Sequence, residues 1–118
     1  RVTHYRWDAE VAPGMTALDA HGHTPGHTAF AISSGGESFI FISDVTNHPA
    51  LFVRNPDWSP VFDIDPDAAR KTKRRILDMV ATDDLPVGGY HFPFPALAKI
   101  AKDGDRYRYL PAQWMAVV

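Results

Sequence analysis

The sequence predicts a mixed α/β (α+β) fold in which a helix packs on one face of a sheet. Short apolar segments with hairpin signals fill the first half of the chain, and one long segment with apolar residues every three or four positions follows in the second. The chain has 118 residues, of which 45% are hydrophobic, and a formal net charge of −2. These values indicate one compact domain and give no electrostatic reason to expect a nucleic-acid partner.

Three strands are predicted in the first half, at Met15–Ala20, Thr28–Ser33 and Ser38–Ser43. Gly35 and Gly36 separate the last two and supply the positive φ angles of a tight hairpin turn. The third strand reads SFIFIS, and this continuous apolar run predicts a central strand that is buried on both faces.

The second half is predicted to contain one long helix. Residues 44–60 include three prolines and two asparagines, which indicates a long loop. Asp65 is a favourable N-cap and Pro66 suits the first helical position, so the helix is predicted from there to about Ala81. After it we expect a strand at Pro86–Tyr90, a short helical stretch at Ala96–Lys102 and a strand at Arg106–Leu110.

Residues suited to metal chemistry lie at the ends of these strands. The segment Gly22–Thr28, GHTPGHT, contains His23 and His27; Asp44 follows the third strand, and His91 lies in GYHFPFP. Strand ends with glycines are where α/β folds place their ligands. Because the chain has no cysteine, a metal must be held by His, Asp or Glu, and imidazole with carboxylate suits zinc, iron or manganese.

With these motifs in this order, the sequence resembles the metallo-β-lactamase superfamily of dinuclear metallohydrolases, and within it the methyl parathion hydrolase group. The resemblance extends over nearly the whole chain, including the FDID stretch at residues 62–65. It implies that His27 binds one metal ion, that His91 binds the other and that Asp44 bridges both. His23 would help to orient His27 from outside the ligand set. The implied cofactors are two divalent ions, zinc ahead of iron or manganese.

Two features depart from the family pattern. Ser43 stands where most relatives have glycine before the bridging aspartate. The HxHxDH motif that supplies the family's other ligands is absent, because the His-x-His of residues 21–23 is followed by Thr-Pro-Gly. The resemblance therefore implies that residues 1–118 are the C-terminal half of a four-layer αββα sandwich. Arg1 at the start, where a native protein has Met, predicts a processed or truncated product.

The implied function is hydrolysis of an ester-type bond, with lactones, carboxylic esters and organophosphate triesters as candidate substrates. Two divalent ions lower the pKa of a bridging water, so that hydroxide becomes available near neutral pH. Two alternatives stay open: an iron-dependent thioester or sulfur enzyme of the same fold, and a catalytically incomplete binding or assembly fragment. We expect the chain alone to be inactive and to pair with its missing N-terminal half or with a second copy.

Four further residues are candidates for roles near the metals. His48, together with Asp44, is a candidate catalytic residue that faces the substrate or the leaving group; the alternative is a turn residue that bonds to backbone. Phe52, Trp58 and Phe92 are candidates for an apolar substrate pocket, with burial in the core as the alternative.

The sequence offers no candidate membrane segment. Its apolar runs are far shorter than the ~20 residues that a membrane span needs, and no signal-peptide pattern is present. We therefore expect a soluble protein without a membrane partner. Its compartment stays open between cytoplasm and periplasm, because an absent N-terminus would carry that information.

Overall fold

The computed structural model describes residues 2–114 and contains one seven-stranded sheet whose strands lie side by side in chain order. The strands are β1 (Glu10–Ala12), β2 (Met15–Asp19), β3 (Thr28–Ser34), β4 (Glu37–Phe41), β5 (Val87–Gly88), β6 (Leu97–Asp103) and β7 (Arg106–Pro111). The helices are α1 (Pro49–Phe52) and α2 (Pro66–Thr82). Neighbouring strands are antiparallel except β4 and β5, which are parallel.

The predicted helix is confirmed as α2, and its start follows the predicted chemistry. The side chain of Asp65 accepts a hydrogen bond from the amide of Ala68 over 2.9 Å, as an N-cap residue does. One face of α2 is buried, and its apolar residues join Ile40 and Ile42 of the sheet in the hydrophobic core. The buried residues of α2 are Ala69, Thr72, Lys73, Ile76, Leu77 and Val80.

The predicted helix at Ala96–Lys102 is wrong, because this segment is strand β6. Ala98 and Ile100 are buried while Leu97 and Lys99 are exposed, and this two-residue alternation is that of a strand with one covered face. β6 pairs with β7 from Ala98 to Asp103 through a hairpin turn, so cross-strand bonding overrides the local helical tendency. The long loop after residue 44 is present but contains the short helix α1, and β1 was not predicted.

The prediction that the third strand is buried on both faces is also wrong for the part of the chain that the structure describes. Ile40 and Ile42 are buried against the core, whereas Phe39 and Phe41 are only partly buried. Successive side chains of a strand point to opposite faces, so these phenylalanines lie on the sheet face away from α2. Phe41 pairs with Phe30 and Phe39 pairs with Ile32. We call these four partly buried residues the outer apolar row.

Within residues 2–114, no helix combines the length and the apolar character that crossing a membrane requires.

Candidate metal centre

The register of β3 and β4 brings His27 next to Asp44. Phe30 pairs with Phe41 in this antiparallel ladder, and the same alignment continued past the ends of the strands sets His27 opposite Asp44. The two residues make contact there: the backbone amide of Asp44 donates a hydrogen bond to Nε2 of His27 over 3.0 Å. The hairpin therefore joins residues that are 17 positions apart in the chain.

The parallel pairing of β4 and β5 adds His91 to this pair. Phe41 lies beside Gly88, and Asp44 and His91 each follow three residues later at the same edge of the sheet. Nε2 of His91 lies 3.2 Å from Oδ1 of Asp44. The structure thus places each of the two histidines predicted as metal ligands in contact with Asp44, the third.

The hydrogen bonds of His27 determine which of its nitrogens can bind a metal. Nδ1 lies 2.8 Å from the carbonyl oxygen of Ala20, which can only accept, so Nδ1 carries the proton and Nε2, which accepts from the amide of Asp44, is unprotonated. Burial lowers the pKa of His27 below its ordinary value, which favours the neutral ring. Metal-binding histidines usually donate their second N–H to a carbonyl or carboxylate in this way.

Asp44 has an oxygen that the protein does not satisfy. Oδ1 is shielded from solvent and forms no aligned hydrogen bond, although Nε2 of His91 lies at 3.2 Å. A buried carboxylate oxygen without a donor is unfavourable, so such an oxygen calls for an explanation such as a cation or a bound water. The types of donor present, two imidazoles and one carboxylate, fit zinc and similar divalent ions.

The set is nevertheless incomplete within the described part of the chain. Among residues 2–114, no three histidine or acidic side chains converge closely enough to hold a metal ion. His27 and His91 each contact Asp44, so the candidate ligands occur as two pairs that share one member. A catalytic zinc usually takes three protein ligands and a water, which is more than either pair supplies.

Two residues beside these ligands have left-handed backbone conformations. Ser43 has a φ of +52° and His91 has a φ of +63°. Such conformations cost roughly 1–2 kcal/mol for a residue with a side chain, and they cluster at functional sites. Ser43 adopts a left-handed conformation that glycine adopts more easily, and its hydroxyl donates to the carbonyl of Thr28 over 2.8 Å. This hydrogen bond helps to hold the turn that carries Asp44, although position 43 is not a glycine.

His23 lies beside His27, as predicted, but its main partner was not predicted. The two rings meet edge to face with centroids 5.3 Å apart. Nδ1 of His23 lies 3.0 Å from Oδ1 of Asp63, a buried carboxylate, and the hydroxyl of Ser59 donates to Oδ2 of Asp63 over 2.6 Å. The FDID stretch contains Asp63, but nothing in the local sequence indicates that it reaches back 40 residues to His23.

Within the described residues, the side chain of His48 forms no hydrogen bond. His48 is the residue that precedes α1, its side chain makes no capping bond, and it is exposed. Its carbonyl accepts hydrogen bonds from the amides of Leu51 and Phe52 over 3.0 and 2.9 Å. This geometry matches the alternative interpretation of His48, a turn residue bonded through its backbone.

The three aromatic pocket candidates have three different surroundings. Phe92 is 8% exposed and packs edge to face against Tyr109 with centroids 5.1 Å apart, so it belongs to the core rather than to a pocket wall. Trp58 is 55% exposed. The ring of Phe52 lies 4.8 Å from the ammonium of Lys73. That ammonium also donates a hydrogen bond to the carbonyl of Trp58, so Phe52 and Trp58 lie near one another, and their role in a substrate pocket stays a prediction.

The fold matches part of the metallo-β-lactamase fold of known hydrolases. AidC, a dizinc quorum-quenching lactonase, is 26% identical with a TM-score of 0.89, over 95% of this chain and 38% of AidC. The hydrolase AbOPH of the β-lactamase superfamily is 24% identical with a TM-score of 0.86, over 92% of this chain and 38% of that one. A probable metal-dependent hydrolase from Staphylococcus aureus is 23% identical with a TM-score of 0.73, over 95% and 40%.

These similarities establish the fold. What else they support is limited by the share of each known structure that this chain covers. The chain spans 38–40% of the length of these three structures. No protein-family model matches the sequence, and no curated protein matches it. The similar structures are hydrolases, two of which are described as dizinc or as probably metal-dependent, whereas the narrower resemblance to the methyl parathion hydrolase group stays a prediction.

Proposed function

We propose that this chain is the C-terminal half of a metal-dependent hydrolase and supplies three ligands to a two-metal centre that cleaves ester-type bonds. The observation that carries this proposal is the position of Asp44. Its backbone amide contacts Nε2 of His27, and its carboxylate faces Nε2 of His91. Asp44 thus contacts both histidines, through its backbone on one side and its carboxylate on the other, and would be the residue shared by a two-metal centre.

In this proposal each ligand has a defined role. His27 would hold one ion through Nε2, His91 would hold the other, and Asp44 would be shared between them. When bound, the two ions lower the pKa of water and polarise the ester oxygen, so no side-chain nucleophile is required. The Nδ1–H bond of His27 to Ala20 keeps its Nε2 electron pair directed at the site. The exposed side chain of His91 leaves its side of the site open to a substrate.

The similar structures support zinc as the metal and a small ester as the substrate. AidC is a dizinc lactonase, so we propose two zinc ions here, with iron or manganese as the alternatives. Lactones, carboxylic esters and organophosphate triesters are the candidate substrates, in line with the resemblance to the methyl parathion hydrolase group. An iron-dependent thioester or sulfur enzyme would use the same ligands, and the metal content of the natural protein distinguishes the two.

The remaining ligands are proposed to come from an N-terminal half. Neither ligand pair in residues 2–114 forms a complete metal site, and the chain spans 38% of AidC. The outer apolar row lies on the sheet face away from α2, where a second sheet of an αββα sandwich would pack. A second copy of the chain is the alternative occupant of this face.

The test uses the natural protein that contains this chain, with the variants Asp44→Asn and Asp84→Asn. Asp84 is an exposed aspartate paired with Lys99, so its substitution makes the same chemical change on the surface. We expect Asp44→Asn to lose at least one metal ion, measured by elemental analysis, and to hydrolyse a lactone or aryl ester at least about 100-fold more slowly. Asp84→Asn should match the wild type.

Three results would contradict parts of this proposal. Full metal content and activity in Asp44→Asn would remove Asp44 from the site. Iron in the purified protein, together with activity on a thioester, would favour the iron-dependent alternative. A natural protein that binds no metal would leave the non-catalytic binding or assembly fragment as the better interpretation.

A further inference from the structure

A buried lysine lies beneath the loop that leads to Asp63. Lys73 projects from α2, is 2% exposed, and donates a hydrogen bond from its ammonium to the carbonyl of Trp58 over 2.5 Å. The ammonium also lies 4.8 Å from the centre of the Phe52 ring, a favourable position for a cation. A buried lysine without compensating charge is costly, so a nearby anion is expected.

Asp63 is the buried anion in this region. Its side chain is 3% exposed, and its negative charge favours the protonated form of Lys73. Both carboxylate oxygens have partners: Nδ1 of His23 for Oδ1, and the hydroxyl of Ser59 for Oδ2. The loop from residue 58 to residue 63 is thus tied to α2 at one end through Trp58 and to the metal-binding motif at the other through Asp63.

The backbone reinforces the connection between the two loops. The amide of Ile64 donates to the carbonyl of His23 over 3.2 Å, and the amide of Asp65 donates to that of Gly22 over 2.9 Å. The GHTPGHT turn that carries His27 therefore rests on residues 63–65 through backbone bonds as well as through the His23 side chain. A shift of Asp63 would be transmitted to the turn along both routes.

We propose that Asp63 and Lys73 are positioning residues of the metal centre. An ionised carboxylate can only accept, so Asp63 keeps the His23 proton on Nδ1 and holds the His23 ring edge to face with His27. Lys73 anchors the loop that presents Asp63. This inference rests on the proposed function, because it assigns the two residues to the geometry of His27 as a ligand.

A purely structural role for Asp63 would not require its charge. Asparagine has nearly the same shape and can turn its NH₂ group toward His23, which moves the His23 proton from Nδ1 to Nε2. The variant Asp63→Asn therefore tests the chemistry of the contact and not only its packing. Asp57→Asn is the matched control, because Asp57 is an exposed aspartate just before the same loop and pairs with Arg74.

The experiment measures two quantities in the natural protein that contains this chain. Nitrogen NMR of the chelator-treated protein reports which nitrogen of His23 carries the proton, and competition titration reports the affinity for Zn²⁺. In Asp63→Asn we expect the His23 proton to move to Nε2 and zinc affinity to fall about 10- to 100-fold, as for other partners of metal ligands. Asp57→Asn should leave both quantities unchanged.

Milder variants keep the inference testable if Asp63→Asn does not fold. Ser59→Ala removes only the donor to Oδ2, and Lys73→Met removes the ammonium and its hydrogen bond to the Trp58 carbonyl at similar side-chain length. Each should lower zinc affinity several-fold while the protein stays folded. Unchanged zinc affinity in every folded variant would overturn the inference.

The outcomes separate this inference from the proposed function. If the wild type binds zinc through His27 but the Asp63 and Lys73 variants bind it equally well, only the positioning roles fail. If the wild type binds no zinc, or if His27→Ala does not change its affinity, the proposed function fails, and the positioning roles fail with it.

Discussion

The backbone amide of Asp44 donates a hydrogen bond to Nε2 of His27, the ring nitrogen whose electron pair is available to a metal ion. Two candidate ligand residues are therefore hydrogen-bonded to each other. An ion that binds His27 must replace this bond, and the energy of that exchange is part of the cost of metal binding. Because an ion at His27 must offset the loss of this hydrogen bond, we expect metal affinity to depend on the remaining ligands.

A protein made of residues 1–118 alone should bind zinc weakly. Each ion would find only a pair of ligands. In one of the two pairs, Nε2 of His27 already accepts a hydrogen bond from the amide of Asp44. After dialysis we expect well under one zinc per molecule by elemental analysis and no esterase activity. Stoichiometric zinc that survives a chelator wash in a monomeric sample would contradict this expectation, whereas zinc held only by a dimer would indicate pooled ligands.

Gly22→Ala should destabilise the protein strongly. Gly22 has a φ of +129°, and an added Cβ would lie 2.3 Å from the backbone nitrogen of Ala69 in α2. Overpacking and backbone strain together should lower the free energy of unfolding by about 3 kcal/mol, measured by urea denaturation. Gly26→Ala in the same motif is the control: an added Cβ meets nothing within 4 Å, so its effect should stay within about 1 kcal/mol.

Two substitutions of Ser43 separate backbone strain from hydrogen bonding. Both Ser43→Gly and Ser43→Ala remove the hydroxyl that donates to Thr28, but only glycine relieves the left-handed φ of +52°. Ser43→Gly should therefore be more stable than Ser43→Ala by about 1 kcal/mol in denaturant titrations. Equal stabilities would mean that the turn relaxes when the hydroxyl is lost.

The stability of the protein should rise with pH between about 8 and 10 because of Lys73. Burial lowers the pKa of Lys73 from 10.5 to about 8. Between these values the unfolded chain holds the proton and the folded chain does not, so deprotonation favours folding as pH rises. The gain is at most about 1.4 kcal/mol per pH unit, and below pH 8 it disappears because both states are protonated.

Variants isolate this contribution to the pH dependence. Lys73→Met should abolish the rise in unfolding free energy between pH 8 and 10, whereas Lys71→Met, on the exposed side of the same helix, should retain it. Measurements should stop near pH 10. Burial raises the pKa values of Tyr107 and Tyr109, so above that pH the folded state holds protons longer than the unfolded state and stability falls.

The outer apolar row should drive association of residues 1–118. Each large apolar side chain left fully in water forgoes about 1.5–3 kcal/mol, which is large against a typical stability of about 5–15 kcal/mol. We expect sedimentation velocity at micromolar concentration to show a dimer, or a complex with the N-terminal half when that half is supplied. Phe41→Lys should weaken the association. Val61→Lys should not, because Val61 is 99% exposed and lies outside the row.

A stable, cooperatively folding monomer of residues 1–118, with no bound partner, would contradict both the association and the proposal that the chain is half of a larger domain.

Local sequence signals predicted the regular elements well where those signals lie close together in the chain. Asp65 and Pro66 mark the start of α2, and Gly35 and Gly36 mark the turn between β3 and β4. The segment at 96–102 was predicted incorrectly because its alternation is short and its strand character depends on pairing with β7. Local propensity is weak compared with cross-strand bonding and burial.

The sequence by itself determined the candidate ligands His27, Asp44 and His91, because glycine-rich motifs at strand ends are visible among neighbouring residues. Only the tertiary structure decided what surrounds them. The contact of Asp63 with His23 spans 40 positions, and the burial of Lys73 depends on a loop that folds over α2. Capping, turns and periodicity are properties of adjacent residues, whereas strand register and the compensation of buried charge arise between distant segments, so they are settled only when the chain has folded.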